Sequence, residues 1–171
     1  MRFLHHQNIC RLLGACLVPE SRALVIELLE QGSRWTVLRT RQRQLTDEMR
    51  AQFVFDTARG MSYLHQFELP TLHRDMKSPN LLVERDFSIN ISDFGLLSRV
   101  KAQIQTDWQL ALPEVLGNRK YTEKADVFSF GIVVWEIFTG PCPYEGMTQI
   151  QVALGVLNNE FLPPFLSFIR E

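Results

Sequence analysis

Cysteine is scarce in this chain, and the few cysteines are not arranged in pairs. The three cysteines, Cys10, Cys16 and Cys142, form no C-x-x-C motif among the 171 residues. An odd number of widely spaced cysteines is a poor disulfide framework and lacks the spacing of a zinc site. His5 and His6 have no cysteine or carboxylate nearby at metal-ligand spacing, so we interpret them as loop residues. These absences favour buried thiols in a reducing compartment.

The sequence also lacks an excess of charge and a long hydrophobic run. Its 18 basic and 19 acidic residues give a formal net charge of −1, which provides no general attraction to nucleic acid or to an anionic membrane. The most apolar stretch, residues 127–138, contains Glu136 and is shorter than the roughly 20 residues that a membrane span requires. The N-terminal MRFLHHQN is interrupted by polar groups before a signal-peptide core could form. We therefore expect a cytoplasmic protein with no membrane segment and no nucleic-acid partner.

What the chain does contain is enough apolar material for a folded domain. Hydrophobic residues make up 46% of the sequence, which suits one globular unit with a core. Residues 9–29 hold two apolar runs separated by PESR, and this pattern predicts paired strands. Apolar residues at helical spacing predict a long helix after Thr46, with Asp47 and Glu48 in its first turn. A second helix is predicted over 124–139, apolar on nearly every side. Two strands followed mainly by helices indicate the α+β class.

The stretch HRDMKSPN at 73–80 places an acid, several cations and an amide within eight residues. Two β-patterned arms follow, LLV and SINIS, around the polar connection ERDF, and they predict a hairpin. An equal-armed hairpin of this kind brings Asn80 opposite Asp93 at its open end. Amide and carboxylate oxygens there suit Mg²⁺, which prefers hard oxygens and keeps places for water and phosphate. With Asp75 and Lys77 just before the first arm, the pattern predicts a site that handles a metal, a phosphate and a proton.

This series of motifs resembles the protein-kinase signature set. HRDMKSPN is followed by DFG at 93–95, LPE at 112–114 and KADVFSFGIVVWEIFTG at 124–140. One tripeptide alone would carry little weight, whereas the whole series in this order extends the resemblance from the start of the chain to about residue 164. A lysine two residues after the aspartate resembles serine/threonine kinases, and KSPNLLV is typical of the tyrosine-kinase-like group. The resemblance implies a kinase-like fold, with a mostly helical large lobe.

The resemblance also implies a role for each matching polar residue. Asp75 would orient the substrate hydroxyl and accept its proton, and Lys77 would neutralise charge on the transferred phosphoryl group. Asn80 and Asp93 would hold Mg²⁺. Asp126 would brace the catalytic segment from the second helix. The expected cofactors are ATP and Mg²⁺, and the expected partner is a protein substrate with a serine or threonine hydroxyl.

The nucleotide-binding residues follow from the same resemblance. Ile26 matches the position known as the gatekeeper, at the rear of the adenine site. Glu27, Leu28 and Leu29 would form the hinge, whose backbone hydrogen-bonds adenine. Leu82 would lie beneath the adenine ring.

Two parts of the kinase pattern are missing from this sequence. No G-x-G-x-x-G motif occurs, and all four lysines lie at or beyond residue 77. The strand lysine that anchors the ATP phosphates in the family therefore has no counterpart here. We expect residues 1–29 to form a small-lobe remnant comprising its last two strands and the hinge. Residues 30–171 would then form a large lobe that is truncated before its last helices.

These observations leave two functions open. The first is an ATP-dependent serine/threonine protein kinase of the tyrosine-kinase-like type. The second is a pseudokinase or fragment that serves as a protein-binding module without transferring phosphate. The presence of Asp75, Lys77, Asn80 and Asp93 favours the first as ancestry. The absent glycine-rich loop and strand lysine favour the second for this polypeptide alone.

Overall fold

The computed structural model describes ten parts of the chain: residues 4–30, 32–33, 36–37, 45–67, 71–93, 122–140, 143–144, 146–148, 151–152 and 154–155. These residues contain two antiparallel strand pairs and two long helices. In chain order the elements are β1 (Leu12–Cys16), β2 (Ala23–Ile26), α1 (Asp47–His65), β3 (Leu81–Val83), β4 (Ile89–Ile91) and α2 (Glu123–Thr139). The arrangement confirms the α+β class.

The predicted N-terminal strand pair is present, although each strand is shorter than its apolar run. β1 and β2 are antiparallel, with Leu12 opposite Ile26 at one end and Cys16 opposite Ala23 at the other. A 3-10 turn over Pro19–Ser21 connects them. Every residue of β2 is exposed. The pair therefore contributes little to the main core, despite its apolar composition.

Helix α1 begins where the sequence predicts. The Thr46 hydroxyl accepts a hydrogen bond from the Met49 amide at 3.3 Å and so satisfies one of the free amides of the first turn. Asp47 and Glu48 lie in that turn, where carboxylates interact favourably with the helix dipole. The buried residues recur every three or four positions, as expected for one face of a helix; they are Phe53, Asp56, Thr57, Gly60, Met61 and Leu64.

Helix α2 is also confirmed, beginning one residue earlier than predicted. The Thr122 hydroxyl accepts from the Lys124 amide at 3.4 Å, and the helix ends at Gly140, whose φ of 87° is a left-handed conformation that favours glycine. Val127 and Phe138 remain 55% and 51% exposed. Eleven residues correspond to about three turns, so these two side chains lie on one side of the helix. The apolar composition of the helix suggested that other elements surround it, but this side of the helix is exposed.

The second strand pair is a hairpin whose register differs by one residue from the predicted register. β3 and β4 pair with Leu81 opposite Ile91. The Ser92 amide and hydroxyl donate to the Asn80 carbonyl at 2.8 and 2.9 Å respectively. Asn80 therefore lies opposite Ser92, and the expectation that it would lie opposite Asp93 was wrong.

The turn of this hairpin explains the shift. The Glu84 amide donates to the Ser88 carbonyl at 3.0 Å, so pairing continues past β3 and leaves three residues in the loop. Phe87 has a φ of 66°. A left-handed residue at the last loop position is the usual way in which three residues close a hairpin. The sequence pattern does not reveal this conformation, because φ above zero is uncommon for a phenylalanine.

The segment before β1 pairs with β4 of this hairpin in the parallel direction. Ile9 forms a parallel bridge with Ile91. The Ile91 amide donates to the Asn8 carbonyl at 3.0 Å, and the Cys10 amide donates to the Ile91 carbonyl at 2.8 Å. The Asn8 side-chain amide donates to the Ile89 carbonyl at 2.9 Å. The N-terminal segment is thereby fixed to the hairpin that carries the candidate site.

The core lies between α1, α2 and the β3–β4 hairpin. Its fully buried members include Phe53, Leu64, Met76, Leu81, Ile89, Ile91, Val133 and Ile137. α1 packs tightly on β4 at Gly60, where an added Cβ would lie 2.7 Å from Ile91 Cδ1 and 2.8 Å from the Asn8 carbonyl oxygen. Real Cβ atoms do not approach other atoms this closely, so the packing requires glycine at this position.

The structure describes two of the three cysteines. Cys10 is buried and Cys16 is half-buried, and neither forms a disulfide. Burial, with a smaller effect from Glu27, raises the pKa of the Cys10 thiol to about 11, which keeps the thiol protonated and unreactive at neutral pH. Cys142 lies outside the described residues.

Among the helices that the structure describes, none is both long and apolar enough to cross a membrane.

The contact at Gly60 predicts a specific loss of stability on adding one methyl group. We expect Gly60→Ala to lower the free energy of unfolding by about 1–2 kcal/mol, because overpacking outweighs the helix propensity that alanine gains. The Asn8 carbonyl cannot retreat without losing its hydrogen bond from Ile91. Urea unfolding followed by circular dichroism would measure the change.

Gly14→Ala is the matched control, since a Cβ at Gly14 would meet nothing within 4 Å. This variant should unfold at nearly the same urea concentration as the unchanged chain. Equal unfolding midpoints for the two alanine variants would show that the close approach at Gly60 does not limit the packing.

Candidate functional site

The segment 73–80 lies against α2, where the Asp126 carboxylate holds its first residues. Asp126 is fully buried. Its two oxygens accept hydrogen bonds from the His73 and Arg74 amides, each at 2.9 Å. Arg74 has a φ of 65°, and a left-handed residue allows consecutive amides to converge on one anion. The structure therefore contains the brace that the kinase resemblance implies for Asp126.

A third group approaches the same carboxylate from α1. The His65 Nε2 atom lies 2.9 Å from Asp126 Oδ2, at the C-terminal turn of the helix. A buried carboxylate needs several donors to offset the loss of water. Asp126 thus joins α1, α2 and the candidate catalytic segment through one side chain. The sequence pattern gave no signal that His65 belongs to this group.

His73 is held in one neutral tautomer. Its Nδ1 atom accepts the Asp75 amide at 3.2 Å, and its Nε2 atom lies 2.9 Å from the Ser92 carbonyl oxygen, to which it must donate. Burial lowers the pKa of His73, although neighbouring carboxylates oppose the shift. Both ring nitrogens are engaged, so His73 orients the segment and does not serve as a base.

Asp75, Lys77 and Asn80 come together at the centre of the site. The Asn80 side-chain amide donates to the Asp75 carbonyl at 2.7 Å and to Asp75 Oδ2 at 3.0 Å. The Lys77 ammonium lies 3.1 Å from the same carboxylate oxygen. Asp75 Oδ1 is buried and has no hydrogen-bond partner within the part of the chain that the structure describes. The cluster thus holds one carboxylate oxygen in place and leaves the other open to a donor.

Asp93 follows directly after the open end of the hairpin. It is exposed and has a φ of 57°, one residue beyond Ser92, which pairs with Asn80. Because Asp75 uses the NH₂ group of Asn80, the amide oxygen of Asn80 is the atom left for a cation. No cluster of three or more His, Cys, Asp or Glu side chains that could hold a metal occurs among the described residues. An amide and a carboxylate fit Mg²⁺, which takes its remaining ligands from water and phosphate.

The predicted nucleotide-binding residues lie at the end of β2 and on β3. Ile26 is 41% exposed and Leu28 86% exposed, whereas Leu29 is buried. The Glu27 carboxylate accepts the Arg11 amide at 2.7 Å, and the Glu27 amide donates to the Arg11 carbonyl. This exchange fixes the start of the predicted hinge to the residue before β1.

Just after the predicted hinge, the chain pairs with β3. Ser33 forms an antiparallel bridge with Leu82, and the Val83 amide donates to the Gly32 carbonyl at 2.9 Å. Leu82 is half-buried. The chain after the hinge therefore passes close to the residue expected beneath adenine. The rest of the DFG motif after Asp93 and the LPE motif at 112–114 lie outside the described residues.

Sequence reasoning missed a buried polar pair next to the cluster. The Ser78 hydroxyl donates to Glu136 Oε2, and the two residues are 1% and 3% exposed. A carboxylate in an otherwise apolar buried helix requires a polar partner. Glu136 itself was thus the available signal, but its sequence position could not identify Ser78 as the partner.

Replacing Asp126 by asparagine tests how firmly the segment is braced. Asparagine keeps the shape but turns an NH₂ group toward donors, so at least one buried donor loses its acceptor. We expect the free energy of unfolding to fall by about 2–4 kcal/mol. Hydrogen exchange should become faster at the His73 and Arg74 amides, which mass spectrometry of short peptides can measure.

Asp47→Asn is the control, because the Asp47 side chain is 92% exposed. It should lower the unfolding midpoint far less than Asp126→Asn does and leave the exchange at 73–74 almost unchanged. Identical exchange at these two amides in both variants would show that Asp126 does not hold the segment.

Comparison with known proteins identifies the family. The family model described as "Protein tyrosine and serine/threonine kinase" matches residues 1–166. The probable serine/threonine-protein kinase drkC of Dictyostelium discoideum is 40% identical over 187 residues, covering 100% of this chain and 25% of that protein. The serine/threonine-protein kinase STY46 of Arabidopsis thaliana is 38% identical over 169 residues, covering 95% of this chain and 29% of that protein.

A third relative, the serine/threonine-protein kinase CTR1 of Arabidopsis thaliana, is 37% identical over 167 residues, which cover 91% of this chain and 20% of that protein. The chain therefore spans between a fifth and a third of the length of these three relatives. The match over residues 1–166 includes the braced segment, the hairpin and α2. The chain belongs to the protein tyrosine and serine/threonine kinase family.

Proposed function

We propose that this chain carries the large-lobe part of a site that transfers the γ-phosphoryl group of ATP to serine or threonine hydroxyls of a protein. The observation that carries the proposal is the contact of one Asp75 oxygen with both Lys77 and Asn80. The relatives described above are named serine/threonine-protein kinases, and the lysine two residues after Asp75 supports the same substrate class. The tyrosine-kinase-like group remains the best assignment within the family.

Each residue of the cluster has a distinct part in the proposed reaction. Asp75 Oδ1, buried and without a partner among the described residues, would accept the proton of the substrate hydroxyl as it attacks. Asn80 fixes the Asp75 side chain through its amide hydrogens, which keeps the carboxylate in one orientation. Lys77, whose side chain is 23% exposed, would neutralise charge on the transferred phosphoryl group.

The cofactors are part of the proposal. Asn80 and Asp93 would hold Mg²⁺, which when bound would neutralise charge on the ATP phosphates. The hinge backbone at Glu27, Leu28 and Leu29 would bind adenine, with Leu82 beneath the ring. Ile26, at the end of β2, would lie at the rear of this site.

We further propose a division of the chain and a location for it. Residues 1–29 would belong to the small lobe and residues 30–171 to the large lobe. The free, protonated thiol of Cys10 supports a reducing compartment and therefore the cytoplasm. The alternative of a non-catalytic binding module has less support, because Asp75, Lys77 and Asn80 are all present and in contact.

Activity should depend on parts of the kinase pattern that this sequence lacks. No lysine precedes residue 77 and no glycine-rich loop is present; loss of a single preorganised donor can cost about 10²–10³ in rate. We expect the 171-residue chain to phosphorylate a generic serine/threonine substrate no faster than its Asp75→Asn variant. A longer version that includes upstream coding sequence for a glycine-rich loop and a strand lysine should gain activity, and Asp75→Asn should remove it.

Transfer of labelled phosphate from ATP to the substrate would measure both results. Asp86→Asn is the control, since Asp86 lies in the exposed hairpin turn, and this variant should keep the activity of the longer version. A longer version that is inactive with every substrate, or equally active after Asp75→Asn, would exclude the proposed reaction. Rapid Asp75-dependent turnover by the 171-residue chain would show that the missing parts are not required.

A further inference from the structure

Two buried carboxylates of α2 contact the same short segment of the chain. Asp126 accepts the His73 and Arg74 amides, and Glu136 accepts the Ser78 hydroxyl. Glu136 lies ten positions after Asp126, which corresponds to about 15 Å along the helix axis. Only four positions separate Arg74 from Ser78, so α2 contacts this short segment at both of its ends.

The second contact fixes the turn that carries Asn80. Ser78 is the first residue of the 3-10 turn Ser78–Asn80, and the Leu81 amide donates back to the Ser78 carbonyl. The Asn80 amide donates to the Lys77 carbonyl at 2.9 Å. Because both bonds close around Ser78, a displacement of Ser78 would also displace the side chains of Lys77 and Asn80.

Glu136 provides a rigid support for this contact. The Glu136 carbonyl accepts the capping amide of Gly140 at 3.0 Å. At the next residue, the Ile137 carbonyl accepts from the Arg50 guanidinium of α1 at 2.7 Å. Ile137 is itself fully buried in the core. The end of α2 is thus fixed at Glu136 and at the residue after it, whereas the 3-10 turn at Ser78 comprises only three residues.

We propose that Ser78 and Glu136 are positioning residues, which set the orientation of Asn80 and through it that of Asp75. Neither residue contacts the substrate in this role. The Ser78–Glu136 hydrogen bond fixes one end of the turn, and the Asn80 amide passes that position to Asp75 Oδ2. The effect on catalysis rests on the proposed kinase function, whereas the effect on the turn does not.

The structural half of this proposal can be tested in the 171-residue chain itself. Ser78→Ala should speed hydrogen exchange at the Asn80 and Leu81 amides by about tenfold, because a hydrogen bond to a charged group is lost. Exchange at the His73 and Arg74 amides, which Asp126 holds, should stay the same. Ser129→Ala is the control: Ser129 is equally buried on α2, and its loss should not change exchange at residues 80 and 81.

Variants at Glu136 separate the hydrogen bond from the charge. Glu136→Gln keeps an oxygen that can accept the Ser78 hydroxyl, so exchange at Asn80 and Leu81 should stay within about threefold of the unchanged chain. Glu136→Met has a similar length but no comparable acceptor, and it should reproduce the effect of Ser78→Ala. If Ser78→Ala fails to fold, the Gln and Met variants still decide the question. Equal exchange in these two variants would overturn the proposal.

The catalytic half requires the longer, active version described above. Ser78→Ala should lower kcat by about tenfold and raise the Mg²⁺ concentration needed for half-maximal activity, with the KM for the protein substrate unchanged. The separate variant Glu136→Gln should keep kcat and the Mg²⁺ requirement close to those of the unchanged enzyme. An unchanged Mg²⁺ dependence in Ser78→Ala would overturn the catalytic role. If the longer version shows no Asp75-dependent activity, the proposed function fails, while the exchange result still decides whether Ser78 and Glu136 position the turn.

Discussion

The Asp126 carboxylate, buried in α2, holds the backbone segment on which the candidate site depends. It accepts two consecutive amides of that segment and lies against His65 of α1. Such a carboxylate is costly to bury unless its donors are kept in place. This cost is what makes the contact specific, because any movement of the segment would leave the charge without donors. The polar group therefore fixes the segment more narrowly than apolar packing alone could.

From this fixed point, hydrogen bonds extend the order to every member of the cluster. His73 connects the segment to Ser92 on the hairpin, and Ser92 in turn bonds the Asn80 carbonyl. Asn80 then returns to Asp75, which closes the path. Side chains held by several such bonds lose little further freedom on binding a substrate. The arrangement thus favours a reaction that depends on orientation, as phosphoryl transfer does.

Packing also joins parts of the chain that the proposed lobe boundary separates. Asn8 and Ile9 precede the proposed hinge, yet they pair with β4, which belongs to the proposed large lobe. Gly60 allows this pairing, because the lack of a side chain there lets α1 pack closely against Ile91 of β4 and the backbone of Asn8. Residues on the two sides of the proposed boundary at residue 29 are therefore packed against each other. In contrast, every residue of β2, which also precedes the proposed hinge, is exposed.

The sequence by itself determined the elements and the members of the central cluster. The Thr46 cap and the α1 apolar spacing are local features, and Asp75, Lys77 and Asn80 are close in sequence, so short-range geometry was enough to bring them together. It did not determine the hairpin register, because that depends on the left-handed conformation of Phe87. Nor did it identify Ser78 and Glu136 as partners, since they lie 58 positions apart. Only the packing of α2 against the segment decides that contact, because burial leaves each polar group with the partners that the fold brings within reach.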